Sequence, residues 1–353
     1  SLGSFITVRR SKRITLNTTV TGAGVSDDVY NFPVFVCLRP ADFNFASAHD
    51  NGTDVRFRKP GGAALAFEIE RWDSAAQRAE IWVLVDTVFG NDDEQYFEMY
   101  WGDDDADGGA DGAAVFDTAN GFVGVWHFSG SDIPDATGYA NDGTNGGTSV
   151  GEGVMGTGRD FGAGEYIEIG YDPSLNVSSA TLSAWIRIEQ NVGDWQAGQM
   201  RVWDRCADES PAGVDAGPFG VAVDRDDYGA SGFTNDQPGL RMTGTDQLAY
   251  PNYAFSNPGA ISSTVGAWQH ITVTAADDTA RFYVNGVLDT AVAEIGTLNT
   301  NTRYARIGNT PNLNRGFEGD MDEVRFSGVA RSAAWVKLLY ESQRDQTPFY
   351  SIE

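Results

Sequence analysis

Apolar residues in this chain recur at alternate positions in short runs, and clusters of Gly, Asn and Asp separate the runs. In "AEIWVLVD", Ile81, Val83 and Val85 share one face of an extended segment, and in "QYFEMYWG" Tyr96 lies opposite Phe97 in the pleat. A period of two predicts strands. The first third holds "RITLNT", "FPVFVCLR", "DVRFRK", "LAFEIERW", "AEIWVLVD" and "QYFEMYWG", enough for a small sandwich of its own. After Trp101 the alternation stops in "GDDDADGGADGAAVFDTANG", and a new series then opens with "GFVGVWHF". It continues through "EYIEIG", "ATLSAWIRI", "MRVWDRC", "FGVAVD", "GLRMTG", "WQHITVTA", "ARFYVNGVLDTAV", "RYARIG" and "DMDEVRFSG". Within it, Asn285 and Gly286 accept positive φ, which predicts a two-residue hairpin turn between Val284 and Val287.

One stretch departs from the period of two. In "RSAAWVKLLYESQ", Ser332 is placed to cap and Trp335, Leu338 and Leu339 share a helical face, which predicts a short helix packed on the second domain. The expectation is an all-β chain of two β-sandwich domains, residues 1–117 and 118–353, the second made of two curved antiparallel sheets with one short C-terminal helix.

Composition narrows the partners. The formal net charge is −26, with 21 arginines against three lysines (Lys12, Lys59 and Lys337) and 35 aspartates against 15 glutamates. Such a surface repels nucleic acid and anionic lipid, and it stays soluble at high ionic strength, so a saline habitat is expected. No apolar run approaches the roughly 18 residues that span a bilayer, so no direct membrane insertion is expected. Ser1 opens the chain without a Met, which reads as a mature or trimmed form. Cys37 and Cys206 both lie in strand-like runs and read as small buried hydrophobes rather than a bridge.

From "RITLNTTVTGAGVSDDVYNFPVFVCLR" through "FEIERWD" to "YFEMYWGDDDA", the first part resembles the bacterial domain of unknown function DUF2341. The second part, with "GVWHFSG", "DATGYANDGT", "GTGRDFGAGEYIEIG", "LSAWIRI", "GAWQHITVTA", "RFYVNGVL" and "FEGDMDEVRFSGVARS", resembles the laminin-G-like branch of the concanavalin A-like lectin and glucanase fold. The resemblance implies a jelly roll for the second domain. It leaves activity open, because that superfamily contains binding modules, adhesins, hydrolases and lyases. It also implies a structural calcium held by an aspartate on the last long strand with backbone carbonyls of the early loops. Asp322 occupies that strand position, and Asp135 begins the loop after the domain's first strand. Hard oxygen ligands suit calcium.

The candidate chemistry then thins out. Asp103, Asp105, Asp107 and Gly108 open a run with the spacing of a helix-loop-helix calcium loop, but its twelfth position is Ala114 where a bidentate Glu is needed, so an acidic linker is expected. No alternating glycosidase acids of the E-x-D-x-x-E kind occur. Glu165 and Glu168 fall on opposite faces of a strand, and Glu68 and Glu70 share a face that reads as solvated. His127 and His270 stand within strands and are expected to pack or hold a buried hydrogen bond, and no zinc spacing exists. Binding is what remains. Sugar rings stack on flat aromatic faces while Asp, Asn and Arg fix their hydroxyls, and the long stretch between "LSAWIRI" and "GAWQHITV" supplies Trp195, Trp203, Asp204, Arg205, Tyr228, Tyr250 and Tyr253.

The expected function is non-catalytic recognition or adhesion outside the cytoplasm, in a secreted, cell-surface or periplasmic protein whose partner is a glycan or polysaccharide. Two alternatives stay open: a polysaccharide hydrolase or lyase, and an ectodomain that contacts protein at the cell surface, as in TolQ-type membrane assemblies.

Overall fold

The computed structural model describes residues 10–102, 108–190, 199–205, 218–225, 237–245 and 253–353. The chain divides into two compact units, one running to Asn120 and including Lys337–Glu353, the other Gly121–Val336.

The first unit contains β1 (Arg10–Leu16), β2 (Val29–Leu38), β3 (Arg56–Arg58), β4 (Ala64–Leu65), β5 (Phe67–Asp73), β6 (Arg78–Val88), β7 (Tyr96–Trp101) and the short α1 (Gly112–Val115). All six expected strands are present. The chain's last strand, Tyr350–Ile352, also belongs here and pairs antiparallel with β1 through Ile14 and Ile352. A five-stranded sheet around β1, β7 and β3 faces a three-stranded sheet of β2, β6 and β5. The alternation in β6 puts Ile81, Val83 and Val85 on one face, and Phe57 of β3 meets Phe67 of β5 across the layers with centroids 5.3 Å apart. Cys37 is free and buried, and its N–H donates to the Tyr350 hydroxyl at 3.0 Å; Cys206 lies outside the described residues.

The second unit contains β8 (Phe122–Trp126), β9 (Gly143–Asn145), β10 (Ser149–Glu152), β11 (Thr157–Phe161), β12 (Ile167–Ile169), β13 (Ala180–Ile188), β14 (Gln199–Asp204) and β15 (Gly220–Asp224). There follow β16 (Gly239–Thr243), β17 (Ala254–Phe255), β18 (Trp268–Ala276), β19 (Thr279–Val284), β20 (Val287–Ala293), β21 (Ala305–Ile307) and β22 (Gly319–Ser327). A larger sheet of eight strands runs β10-β11-β22-β13-β18-β19-β20, with β8 also on β22, and a smaller sheet of seven runs β17-β16-β15-β14-β21-β12-β9. Apolar residues of both sheets, among them Ile186, Val221, Val273 and Ile307, form one core between the layers. The hairpin closes as its dipeptide predicts: Asn285 and Gly286 have φ of 49° and 74°, and the Asn285 side chain accepts the His270 N–H at 2.9 Å.

The helix α2 (Ala333–Gln343) forms, and Ser332 Oγ accepts the Trp335 N–H at 3.2 Å as an N-cap. Its expected home needs correction, because the chain from Lys337 onward belongs to the first unit. There Lys337 Nζ donates to the Gly24 carbonyl at 2.8 Å, Asp345 pairs with Arg39 at 2.6 Å, and the last strand extends the sheet of β1. No described helix is long and apolar enough to cross a membrane.

Candidate functional site

In the smaller sheet of the second unit, each strand sends alternate residues into the core and the others outward. On β15 and β16 the core takes Val221, Val223, Leu240 and Met242, so Asp224 and Arg241 face out. On β14 a register shift between Arg201 and Trp203 adds one residue, so Val202 and Trp203 both enter the core and Asp204 returns to the outward face. The result is a set of cross-strand rows. Glu168, Arg306 and Asp204 are successive neighbours across β12, β21 and β14, and Gln199 pairs with Asp224 while Ala222 pairs with Arg241.

Every carboxylate in these rows meets a guanidinium. Arg306 Nη2 donates to Glu168 at 3.0 Å, Arg201 Nε lies 3.2 Å from Asp204, and Arg241 lies 3.3 Å from Asp224 while also bonding Gln199. Aromatic rings flank the cations. The Arg306 guanidinium lies 4.0 Å from the Tyr166 ring centre and 5.0 Å from that of Tyr304, and Arg241 lies 4.6 Å from that of Tyr253. Arg306 Nη1 also donates to the carbonyls of Thr310 and Pro311, which fixes its plane. Glu168, Tyr166 and Tyr304 stay partly exposed, so this end of the face is open to a ligand.

The residues expected from the sequence distribute unevenly over this face. Asp204 and Tyr253 are on it. Trp203 is not: its side chain is 0 % exposed, stacked on Phe326 at 5.0 Å and beside Trp126 at 5.6 Å, so no face is left for a sugar. Arg205 is also a buried structural group, donating to the Leu175 carbonyl at 2.5 Å and to Asn301 at 2.8 Å, which ties the β14 end to two neighbouring turns. Trp195, Tyr228 and Tyr250 lie outside the described residues, as do Asp103, Asp105 and Asp107. Sequence reading missed Arg201, Asp224, Arg241, Arg306, Tyr166 and Tyr304, and weighed Glu168 only as one of a catalytic pair with Glu165. Glu168, Arg306, Arg201 and Arg241 each stand between two apolar residues, in "IEI", "ARI", "MRV" and "LRM", the signal that could have found them.

The expected metal ligands have different surroundings. Asp135 is buried, and its two oxygens accept four hydrogen bonds: from the N–H groups of Val125, Thr137 and Asn141 and from the Thr137 hydroxyl, at 2.7–2.9 Å. Four hydrogens aimed at the carboxylate occupy the directions a cation would take, so Asp135 does not fit a calcium ligand and instead holds its loop in place. Asp322 is fully buried on β22 and accepts the Met155 N–H at 2.9 Å, closing the turn between β10 and β11. Asp111, in the acidic linker, accepts the Ala114 N–H at 3.1 Å and caps α1.

The outward face of the larger sheet carries a second polar group. Glu323, at a backbone φ of 52°, accepts from Arg325 Nε at 3.0 Å and lies 2.6 Å from His127 Nδ1. Burial pushes the Glu323 carboxyl up, but His127 and Arg325 together outweigh it and hold the group low. His270, fully buried beside Trp185, is pushed down to about 3 by burial, helped by the Arg325 charge.

A sandwich of two antiparallel layers with a charged, tyrosine-flanked face on one sheet defines a protein of the lectin and glucanase architecture. The chain belongs to the Concanavalin A-like lectin/glucanases superfamily, which matches residues 161–337. Residues 51–129 match the domain of unknown function DUF2341, in the order expected. Among solved structures, domain 4 of AbnA, an extracellular GH43 arabinanase from Geobacillus stearothermophilus in complex with arabinotriose, is similar at 16% identity and a TM-score of 0.47, over 62% of this chain and 98% of that one. The binding domain of Paraclostridial Mosquitocidal Protein 1 is similar at 15% identity and a TM-score of 0.48, over 63% of this chain and 52% of that one. The binding domain of Botulinum Neurotoxin DC in complex with SialylT matches at 11% identity and a TM-score of 0.47, over 64% of this chain and 52% of that one. The chain thus spans nearly all of the arabinanase domain but about half of each toxin binding domain. No curated protein matches.

Proposed function

We propose that this chain is an extracytoplasmic recognition protein that grips carbohydrate on the outward face of the smaller sheet in its second unit. The observation that carries the reading is the row Glu168–Arg306–Asp204 with Tyr166 and Tyr304 beside it. Carboxylate and guanidinium groups fixed by one another offer acceptors and donors at set positions, which suits the alternating hydroxyls of a sugar ring. Tyrosine rings supply the flat apolar surface on which the sugar's C–H face stacks.

The same arrangement supports binding over turnover. A glycosidase needs two carboxyl groups set about 5–9 Å apart across the scissile bond, one of them able to give a proton. Here Glu168, Asp204 and Asp224 are each engaged by an arginine, an arrangement that supports holding a ligand rather than passing protons to it. Glycan-array screening followed by calorimetry tests the proposal: a bound glycan is expected, with affinity falling at least tenfold in Arg306→Ala. Reducing-sugar release or unsaturated products from the same glycans would replace recognition by catalysis, and no glycan bound would remove the reading.

A further inference from the structure

The first unit contains a cleft of about 510 Å³ lined by residues of β4 and β7 of one sheet, the end of β6 in the other and the loop between β6 and β7. Leu65, Val85 and Phe97 form its floor, and Lys59, Asp86, Phe89, Glu94 and Tyr96 surround its mouth. The volume lies within the roughly 300–1,000 Å³ usual for small-ligand sites.

Phe89 is the telling residue. Its side chain is 49 % exposed, although exposed apolar surface costs about 25 cal/mol per Å². The loop that carries it is nevertheless held firmly. Phe89 N–H donates to Gln95 Oε1 at 3.0 Å and its carbonyl accepts from Thr18 Oγ1 at 2.7 Å. Gly90 N–H reaches Asp28 at 2.9 Å, Asn91 N–H reaches the Val25 carbonyl at 2.8 Å, and Asp92 Oδ1 accepts the N–H groups of Glu94 and Gln95. Gly90 is required, since a Cβ there would stand 2.2 Å from the Ser26 carbonyl oxygen. An aromatic side chain carried on a firmly held backbone and left facing solvent beside a cleft is prepared for a partner.

We propose that this cleft binds a neutral saccharide. Phe89 and Tyr96 offer ring faces to the sugar's C–H surface, with Tyr96 held by Arg13, whose guanidinium lies 3.9 Å from the ring centre. The carboxylates of Asp86 and Glu94 accept hydroxyl hydrogens at the mouth, and Lys59, bonded to Asp86 at 2.6 Å, donates to a sugar oxygen with its remaining hydrogens. Charge then sets the selectivity. Three carboxylates, of Asp86, Asp92 and Glu94, line the cleft against one ammonium, so uronate and sulfate groups are repelled. This site is separate from the face of the second unit, and its occupancy does not depend on that reading.

The test is calorimetric titration of the full chain carrying Arg306→Ala, which removes the central residue of the second-unit row. The probes are neutral cello-, xylo-, manno- and laminari-oligosaccharides and a uronate oligosaccharide of matched length. The expected result is that at least one neutral probe binds, that Phe89→Ala and Phe89→Leu each weaken it tenfold or more with the melting temperature retained, and that the uronate binds at least tenfold more weakly. Glu94→Gln is expected to narrow that last gap. The proposal is overturned if no neutral probe binds, if both Phe89 variants bind like the parent, if the uronate binds equally well, or if tetramethylammonium binds more tightly than any saccharide.

Discussion

Arg306 and Arg325 each hold a carboxylate on an outward sheet face of the second unit, and the two pairs differ mainly in their access to water. The side chains of Arg306 and Glu168 are 9% and 37% exposed, whereas those of Arg325 and Glu323 are 2% and 1%. An ion pair that keeps one side in solvent gives up little when a ligand hydroxyl replaces part of its hydration. A pair with no solvent has no such freedom, because removing either member strands a charge in a low-dielectric interior. Similar chemistry therefore suits recognition at the Arg306–Glu168 end of the smaller sheet and architecture at Arg325–Glu323, as it does at Arg241–Asp224, whose side chains are 1% and 0% exposed.

That contrast fails if the buried group proves dispensable. Glu323→Ala is expected to destabilise the protein by about 3–5 kcal/mol, since Arg325 and His127 lose their shared partner in the interior. Urea unfolding measures it, and a loss below 1 kcal/mol would place Glu323 with the surface pairs. Asp135→Ala comes next, at about 1–3 kcal/mol, because three buried N–H groups lose their acceptor. The loss is expected to be the same with and without EDTA; a difference would restore Asp135 as a metal ligand.

Acid sharpens the comparison further. His270 is pushed down to about 3 in the fold, while an unfolded histidine titrates near 6.5. Its contribution is therefore constant above about pH 6.5 and is lost as pH falls toward 3, by about 1.4 kcal/mol per pH unit. Unfolding curves of parent and His270→Gln across this range should converge toward low pH, and parallel curves would contradict the burial argument. A smaller effect than at Glu323 is expected at the partly open end of the other face, where Arg306→Ala leaves the Thr310 and Pro311 carbonyls without this donor and costs about 1–2 kcal/mol while weakening glycan binding.

Much of this architecture was legible in the alternation of apolar residues. The runs around Val83, Ile186 and Val273 became central strands, Asn285 and Gly286 made their turn, and Ser332 capped its helix. The strands between Gly143 and Phe161 were not predicted, because "GTNGGTSVGEGVMGTGRDF" has few apolar side chains and its pairing is set by the neighbours it meets. The pairing of Tyr350–Ile352 with β1 joins opposite ends of the chain, which no local pattern records. The candidate face was half visible. Asp204 and Tyr253 were named from composition, but Trp203 was misplaced because the bulge in β14 turns two successive residues inward. Arg241 and Arg306 went unnoticed because their carboxylate partners lie on other strands.

The most direct test is hydrogen exchange of the full chain with and without a glycan that binds it. Slowed exchange confined within the second unit to Tyr166–Ile169 and Tyr304–Ile307, and absent in Arg306→Ala, is the predicted result. Unchanged exchange in both segments, with a glycan demonstrably bound, would contradict the assignment of recognition to this face.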